Sequence, residues 1–278
     1  MAGAATRVGM ETLLPSPDRL QRTIEVESAY RVERLQVLAR LPGNPLGVAI
    51  RVLAGGGVAS MARELPSPPF NSVTGLRPGD ESLIEPLIAW YREAGLRGRF
   101  EIVPGREGEL CRELARHGYF QSSFHASLIG APGLTVAPAR GVSIEAVASE
   151  AVMDEFLSAY VAGWEIPEEH RARFKANVRP WLDEPRWSLF LGRFEGRPAA
   201  VATLYIAGRV GYLADAATDP AFRGRGLHAA LLGCRLAAAR GADTEFVCSG
   251  AAFLSASHRN MERVGMRLQF VRAIWTPL

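Results

Sequence analysis

The chain is poor in cysteine: only Cys111, Cys234 and Cys248 occur among its 278 residues. They lie far apart, with no CxxC and no Cys/His cluster, so neither a disulfide framework nor a metal site is encoded. That usage fits a reducing compartment, and a cytoplasmic location is expected. No run of 18 apolar residues occurs, so no membrane-spanning helix is expected. The opening stretch MAGAATRVGMETLL has no charged start followed by an apolar core, and a signal peptide is not expected either. Lysine is almost missing. Of 32 basic residues only Lys175 is not arginine, a bias that reads as GC-rich coding. Net charge is +3 with no run of one sign and no basic face interleaved with aromatics. A nucleic-acid partner is therefore not expected.

What is present is a globular composition, 48% hydrophobic and 22% charged, with ordinary Pro and Gly. Such a chain buries enough apolar surface to exclude disorder as its main state. Its length is comfortable for two domains of about 140 residues.

The two halves repeat one another. The first carries Arg77-Pro-Gly-Asp80, a helical pattern over 80–95, a strand over 99–103, a helix over 109–118 and a strand over 119–129. The second carries Arg223-Gly-Arg-Gly226, a helix over 227–241, a strand over 244–250, a helix over 255–265 and a final strand over 266–275. Gly79 to Gly226 and Gly118 to Gly265 span the same number of positions, as a duplication would leave them. Between the halves, GAPGLTVAPARG (130–141) is small, apolar and nearly uncharged. It reads as a linker, with its core at 134–141. The clearest hairpin is 187–206, two apolar runs about Glu195-Gly196. The order of elements implies an α/β (α+β) fold: in each half, a mixed and mostly antiparallel sheet flanked by helices.

The chemistry points to 210–241. An apolar strand ends at Thr218, a turn follows at Asp219-Pro220, and an Arg/Gly loop opens straight into an amphipathic helix. A helix start exposes amides without intrahelical acceptors at the positive end of the dipole, which suits an anion. Glycines let a diphosphate approach the main chain, and Arg223 and Arg225 add forked donors. A dinucleotide fingerprint fails because Gly224-x-Gly226 is followed by Ala229, and a Walker loop fails for want of Gly-Lys-Ser/Thr.

Arg-Gly-Arg-Gly-Leu-His (223–228) resembles the acyl-CoA loop of the GNAT acetyltransferase superfamily, Gln/Arg-x-x-Gly-x-Gly/Ala. Arg223 takes its first position and Gly226 its fourth, and His228 replaces the usual Gly or Ala. The resemblance covers 142–278 strongly and 18–130 as a worn copy. It implies two tandem domains, a degenerate one at 1–133 and an acyl-CoA-binding one at 142–278. It further implies acetyl-CoA as co-substrate and no metal. The pantetheine arm would pair near Ala216, Ala217 and Thr218, and the diphosphate would sit on Arg223, Gly224, Arg225, Gly226, Leu227 and His228. Ser257 and Asn260 would add polar contacts, while His258 and Arg263 read as solvated surface groups. An amine on a small molecule or protein would attack the thioester directly. Where many relatives carry a tyrosine acid, four residues before Gly265, stands Met261.

For the general base, Asp215 is the only carboxylate on its strand; a salt bridge to a loop arginine is its structural alternative. Tyr212 follows as a water relay, and then Glu165. Tyr160, Trp164 and Glu165 could line an acceptor pocket, although aromatics on such helices are more often core. In the first half Pro78 removes an amide and Asp80 and Glu81 put negative charge where phosphate would sit, so that half is expected to have lost the cofactor. A catalytically weak acyl-CoA sensor or structural module is the alternative to an N-acetyltransferase, and a homodimer is compatible with either.

Overall fold

The computed structural model describes residues 14–65 and 67–278; the stretch 1–13, read above for a targeting signal, lies outside the described residues. The chain forms two compact units, one of residues up to Val26 with Leu128–Gln269, the other of Glu27–Ser127 with Phe270–Leu278.

The second of these units contains most of helix α1 (Pro17–Ala39), strands β1 (Val48–Val52), β2 (Val58–Ala62) and β3 (Ser72–Thr74), and helix α2 (Ile84–Glu93). Strand β4 (Arg99–Ile102), helix α3 (Leu110–Arg116), most of β5 (Tyr119–Gly130) and most of the last strand, β11 (Arg267–Pro277), complete it. Its strands run in the order β1-β2-β3-β4-β11-β5. The apolar faces of α2 and α3 close over Val73, Phe100 and Ile102.

A charged network is buried in the same unit. Glu101, 4% exposed, meets Arg31, Arg99 (2.6 Å) and Arg272 (3.1 Å), and Arg272 also pairs with Glu27. Burial opposes the ionisation of Glu101, but the three guanidiniums more than offset it and hold its carboxyl well below the usual range. Burial, with Arg272 nearby, pushes His125 down to about 4.

The other unit carries β6 (Val142–Ala146), α4 (Glu150–Gly163), α5 (Glu168–Val178), β7 (Trp187–Phe194), β8 (Arg197–Ala207) and β9 (Val210–Thr218). It continues through α6 (Leu227–Gly241), β10 (Phe246–Ala252) and α7 (Ala256–Arg263). Strands β6 to β9 form an antiparallel meander, and β10 joins β9 in parallel through the crossover helix α6. The fold is thus mixed α/β with a mostly antiparallel sheet and flanking helices. The β7–β8 turn falls at Glu195-Gly196, both with positive φ (48° and 79°), as a two-residue hairpin turn requires. Tyr160 is core: it packs edge-on to Trp181, which stacks on Trp187 at 4.9 Å.

Two features differ from the sequence reading. The last strand, expected to close the second half, pairs antiparallel with β4 of the first, with Ala273 opposite Ile102 and Trp275 opposite Phe100. Strand partners of this kind are non-local and leave no mark in periodicity. The segment 134–141, read as a linker, packs along α6: a Cβ added at Gly233 would meet Val136 at 2.8 Å, and one at Gly226 would meet Ala139 at 2.9 Å. Small residues on both sides allow that approach, so composition that reads as flexible serves here as a close-packed strap.

A fragment of residues 141–278 removes β4 from β11 and leaves Arg272 without Glu27 and Glu101. An exposed strand edge and an uncovered apolar strand face both follow. Thermal unfolding of the fragment is expected at a lower temperature than the whole chain, with soluble aggregates by size exclusion. Equal melting of the two would contradict the assignment of β11.

Candidate functional site

The site is built where β9 leaves the sheet. Its pairs with β8 run Val201↔Ala217 and then Thr203↔Ala214, so Asp215 and Ala216 together oppose Ala202. This is a β-bulge, and Asp215 adopts the left-handed conformation (φ 46°) that such a bulge permits. Pairing with β10 runs from Phe246↔Val210 to Ser249↔Leu213 and stops there, where Ser249 Oγ donates to Leu213 O at 2.7 Å. Beyond that point the ends of β9 and β10 are unpaired with each other.

A cleft of about 620 Å³ opens beside this end of β9. Its walls are the end of α4 (Gly163 to Glu165), Ala216, Ala217 and Thr218 of β9, the loop and first turn of α6, and Ala256, Ser257 and Asn260 of α7. Helix α4 approaches so closely that a Cβ at Gly163 would meet Ala217 Cβ at 2.9 Å.

Its floor is the start of α6. Gly224 (φ 78°) and the N-cap Gly226 (φ 82°) turn the chain in the left-handed region, and Gly226 supplies no side-chain cap. By contrast α4 and α7 start on serines that accept from Val152 N and His258 N. The first-turn amides of α6 therefore keep their donors for an outside anion. Arg223 stands over them, its Nη2 2.5 Å from Glu165 Oε1 and its Nε donating to Thr218 O.

The turn at 77–81 in the first half is closed by its own side chains. Arg77 N donates to Asp80 Oδ2 at 2.8 Å and Gly79 N to Glu81 Oε2 at 2.9 Å. Two carboxylates thus occupy the amides that a phosphate would need.

Ten of the eleven residues expected at a cofactor line the cleft: Ala216, Ala217, Thr218, Arg223, Gly224, Gly226, Leu227, His228, Ser257 and Asn260. Arg225 does not. Its guanidinium stacks over Phe194 at 4.5 Å and Phe222 at 5.6 Å. Nor do Asp215 and Tyr212 line it. Asp215 accepts from Thr203 Oγ1 at 3.2 Å and lies in the field of Arg235, a buried arginine of α6. Arg235 donates to Thr203 O and Ala214 O (3.2 Å each) and to Leu231 O, so it ties both edges of the bulge to the helix. Burial lowers the Arg235 pKa to about 10, against the pull of Asp215. Sequence reasoning missed this arginine, because nothing in helical periodicity separates an inward arginine from a solvated one. A salt bridge to a loop arginine is the structural alternative expected for Asp215; the structure gives it the Thr203 hydroxyl and the field of Arg235 on α6.

His228 faces the cleft, with Nε2 3.4 Å from Ser257 Oγ and Nδ1 3.3 Å from Asn260 Nδ2. Burial, with Arg235 behind it, pushes its pKa down to about 4, so the imidazole is neutral at pH 7. His258, expected on the surface, is buried instead, and its Nδ1 accepts from Leu254 N, fixing the start of α7. Arg263 is exposed, as expected, and holds Asn260 Oδ1 at 2.7 Å. Met261 is buried. Among the described residues no group of three His, Cys, Asp or Glu is placed to share a metal, and no helix is long and apolar enough to cross a membrane.

Residues 149–266 match the acetyltransferase (GNAT) family. No curated protein matches the chain. Among solved structures it is similar to a GCN5-related N-acetyltransferase from Kribbella flavida, at 18% identity and TM-score 0.64 over 90% of this chain and 95% of that one. It is also similar to a GCN5-related N-acetyltransferase from Sphaerobacter thermophilus, at 15% identity and TM-score 0.59 over 79% of each. A tandem GNAT protein from the clavulanic acid biosynthesis pathway aligns over 95% of this chain and 97% of its own, at 13% identity and TM-score 0.56. These likenesses establish the fold.

The neutral state of His228 sets a pH dependence. Unfolded, the ring protonates near 6.5; folded, near 4. Between those values the unfolded chain binds more protons, so stability is lost as pH falls from about 6.5 towards 4, by at most about 3 kcal/mol from this group. His125 adds to the same trend. Urea unfolding at pH 7 and pH 5 should show a smaller acid loss in His228→Asn than in the native chain; equal losses would contradict the burial of this ring.

Proposed function

We propose that the protein is an N-acetyltransferase that moves an acetyl group from acetyl-CoA to the amine of a small molecule or protein. The observation that carries this reading is the uncapped start of α6 at the floor of the cleft, where Gly224 and Gly226 line the space. Acetyl-CoA would supply a thioester, whose carbonyl carbon accepts the amine lone pair while the C–S bond breaks, the amine giving up a proton and CoA leaving as thiol. The α6 amides and Arg223 would hold the diphosphate. Ala216, Ala217 and Thr218, freed from β10 by the splay, present backbone groups to the amide-rich arm. His228, Ser257 and Asn260 form a neutral polar patch on the opposite wall.

Asp215 is proposed as a positioning residue. Its carboxylate, Thr203 and Arg235 hold the bulge that re-aims β9 into the cleft. Tyr212 keeps the relay role only through ordered water. Glu165 is the one carboxylate among the described residues that line the cleft. The second reading, an acyl-CoA sensor of weak turnover, is favoured by the buried Met261 where many relatives have a proton donor. Positioned proton transfer contributes about 10²–10⁴-fold, so a slower enzyme is consistent with that replacement.

The first half is proposed to bind no CoA, because Asp80 and Glu81 already fill its turn. Calorimetric titration should give one CoA per chain. Gly226→Val should abolish the uptake, since a side chain there meets both a positive φ and Ala139, and Gly79→Ala should leave it intact. Thiol release with a panel of amines then separates enzyme from sensor. Two CoA per chain, or binding that survives Gly226→Val, would overturn the assignment.

A further inference from the structure

One ion pair in the cleft joins two groups that the reaction needs apart. Arg223 belongs to the anion-binding loop, yet its Nη2 lies 2.5 Å from Glu165 Oε1. The carboxylate comes from the far wall, at the end of α4. That end is rigidly placed: Glu165 N donates to Ala162 O and Ile166 N to Val161 O, the paired bonds of a Schellman stop. Glycine is the usual residue there, because φ is positive, and Glu165 is held at φ 52°. Gly163, two residues earlier, presses α4 against Ala217 and fixes where the turn lands. A charged side chain thus occupies a backbone position that favours none, aimed at the arginine of the loop. Beside it Trp164 lines the same cleft with 47% of its surface exposed.

We infer that Glu165 is an exchangeable internal anion: it holds Arg223 in the empty site, gives it up to the cofactor diphosphate, and then binds a cationic group of the acceptor together with the Trp164 ring. The inference rests on the function proposed above. A carboxylate and a phosphate compete for the same guanidinium fork, and two charges on a diphosphate outbid one. Both members of the pair are more than half exposed, at 61% and 53%, so the pair is weak enough to exchange. Once released, a carboxylate beside an exposed indole face is a site for an ammonium group. The acceptor class follows: an amine that carries a second positive charge. Binding order follows too, since the acceptor's carboxylate is free only after the cofactor has taken Arg223.

The pair predicts effects of opposite sign on the two ligands, which a merely structural residue would not produce. In calorimetric titrations Glu165→Gln should bind CoA about two- to five-fold more tightly than the native chain, the range an exposed ion pair allows. Cadaverine, as a dicationic probe, should bind the CoA-saturated native protein, bind the CoA-free protein several-fold more weakly, and lose that gain in Glu165→Gln. Glu165→Gly should raise the melting temperature by relieving the left-handed position while losing cadaverine binding in the same way. CoA affinity that is unchanged or weaker in Glu165→Gln, or cadaverine binding that ignores CoA, overturns the exchange while leaving the acetyltransferase reading intact. A native chain that takes up no CoA overturns both.

Discussion

A main-chain amide without a backbone acceptor needs another partner, and the glycine-containing turns ahead of α2 and α6 answer that constraint in opposite ways. At the turn before α2 the carboxylates of Asp80 and Glu81 fold back on Arg77 N and Gly79 N. At the turn before α6 no side chain does so, and Gly224 and Gly226 leave the donors facing a cleft. One turn is electrically complete and the other calls for an anion. The proposal that only the second half takes up CoA rests on that difference.

The remainder of the site keeps that opening in place. The bulge at Asp215 ends the pairing of β9 with β10 at Leu213 and turns Ala216, Ala217 and Thr218 toward the cleft. It is a strained feature, and Arg235 stabilises it from below through Thr203 O and Ala214 O. A buried guanidinium is costly unless its donors are used, and here Leu231, Thr203 and Ala214 accept them while Asp215 supplies opposing charge. His228 stays neutral for the same reason that Arg235 is perturbed: burial disfavours the charged form of each. A neutral ring keeps one donor and one acceptor nitrogen, which suits it to bridge Ser257 and Asn260.

Much of this was legible in the order of residues. The hairpin at Glu195-Gly196, the start of α6 just after Gly226 and the contrast between RGRG and RPGD are local signals, fixed by turn chemistry and by which residues carry amides or charge. The cleft-lining residues of 223–228 were also legible, because a loop and the helix it opens bring their own geometry. What escaped was non-local. Nothing in MRLQFVRAIW says that its strand pairs with β4, nothing in an arginine at 235 says that it points inward, and the Gly/Pro/Ala run at 134–141 packs only because Gly226 and Gly233 lie across from it. Asp215 drew attention as the only carboxylate on its strand, but its surroundings, the Thr203 hydroxyl and the field of Arg235 twenty positions on, are not written in the local sequence.

The central claim is that the amides of 224–229 are the chain's acyl-CoA site and that Arg77 N and Gly79 N of the first turn are already satisfied. Hydrogen–deuterium exchange on the full chain, with and without saturating CoA, reads both turns at once. Exchange should slow on addition of CoA in peptides covering 223–230 and be unchanged in those covering 76–83. Protection at 76–83, or none at 223–230 while CoA is bound, would contradict it.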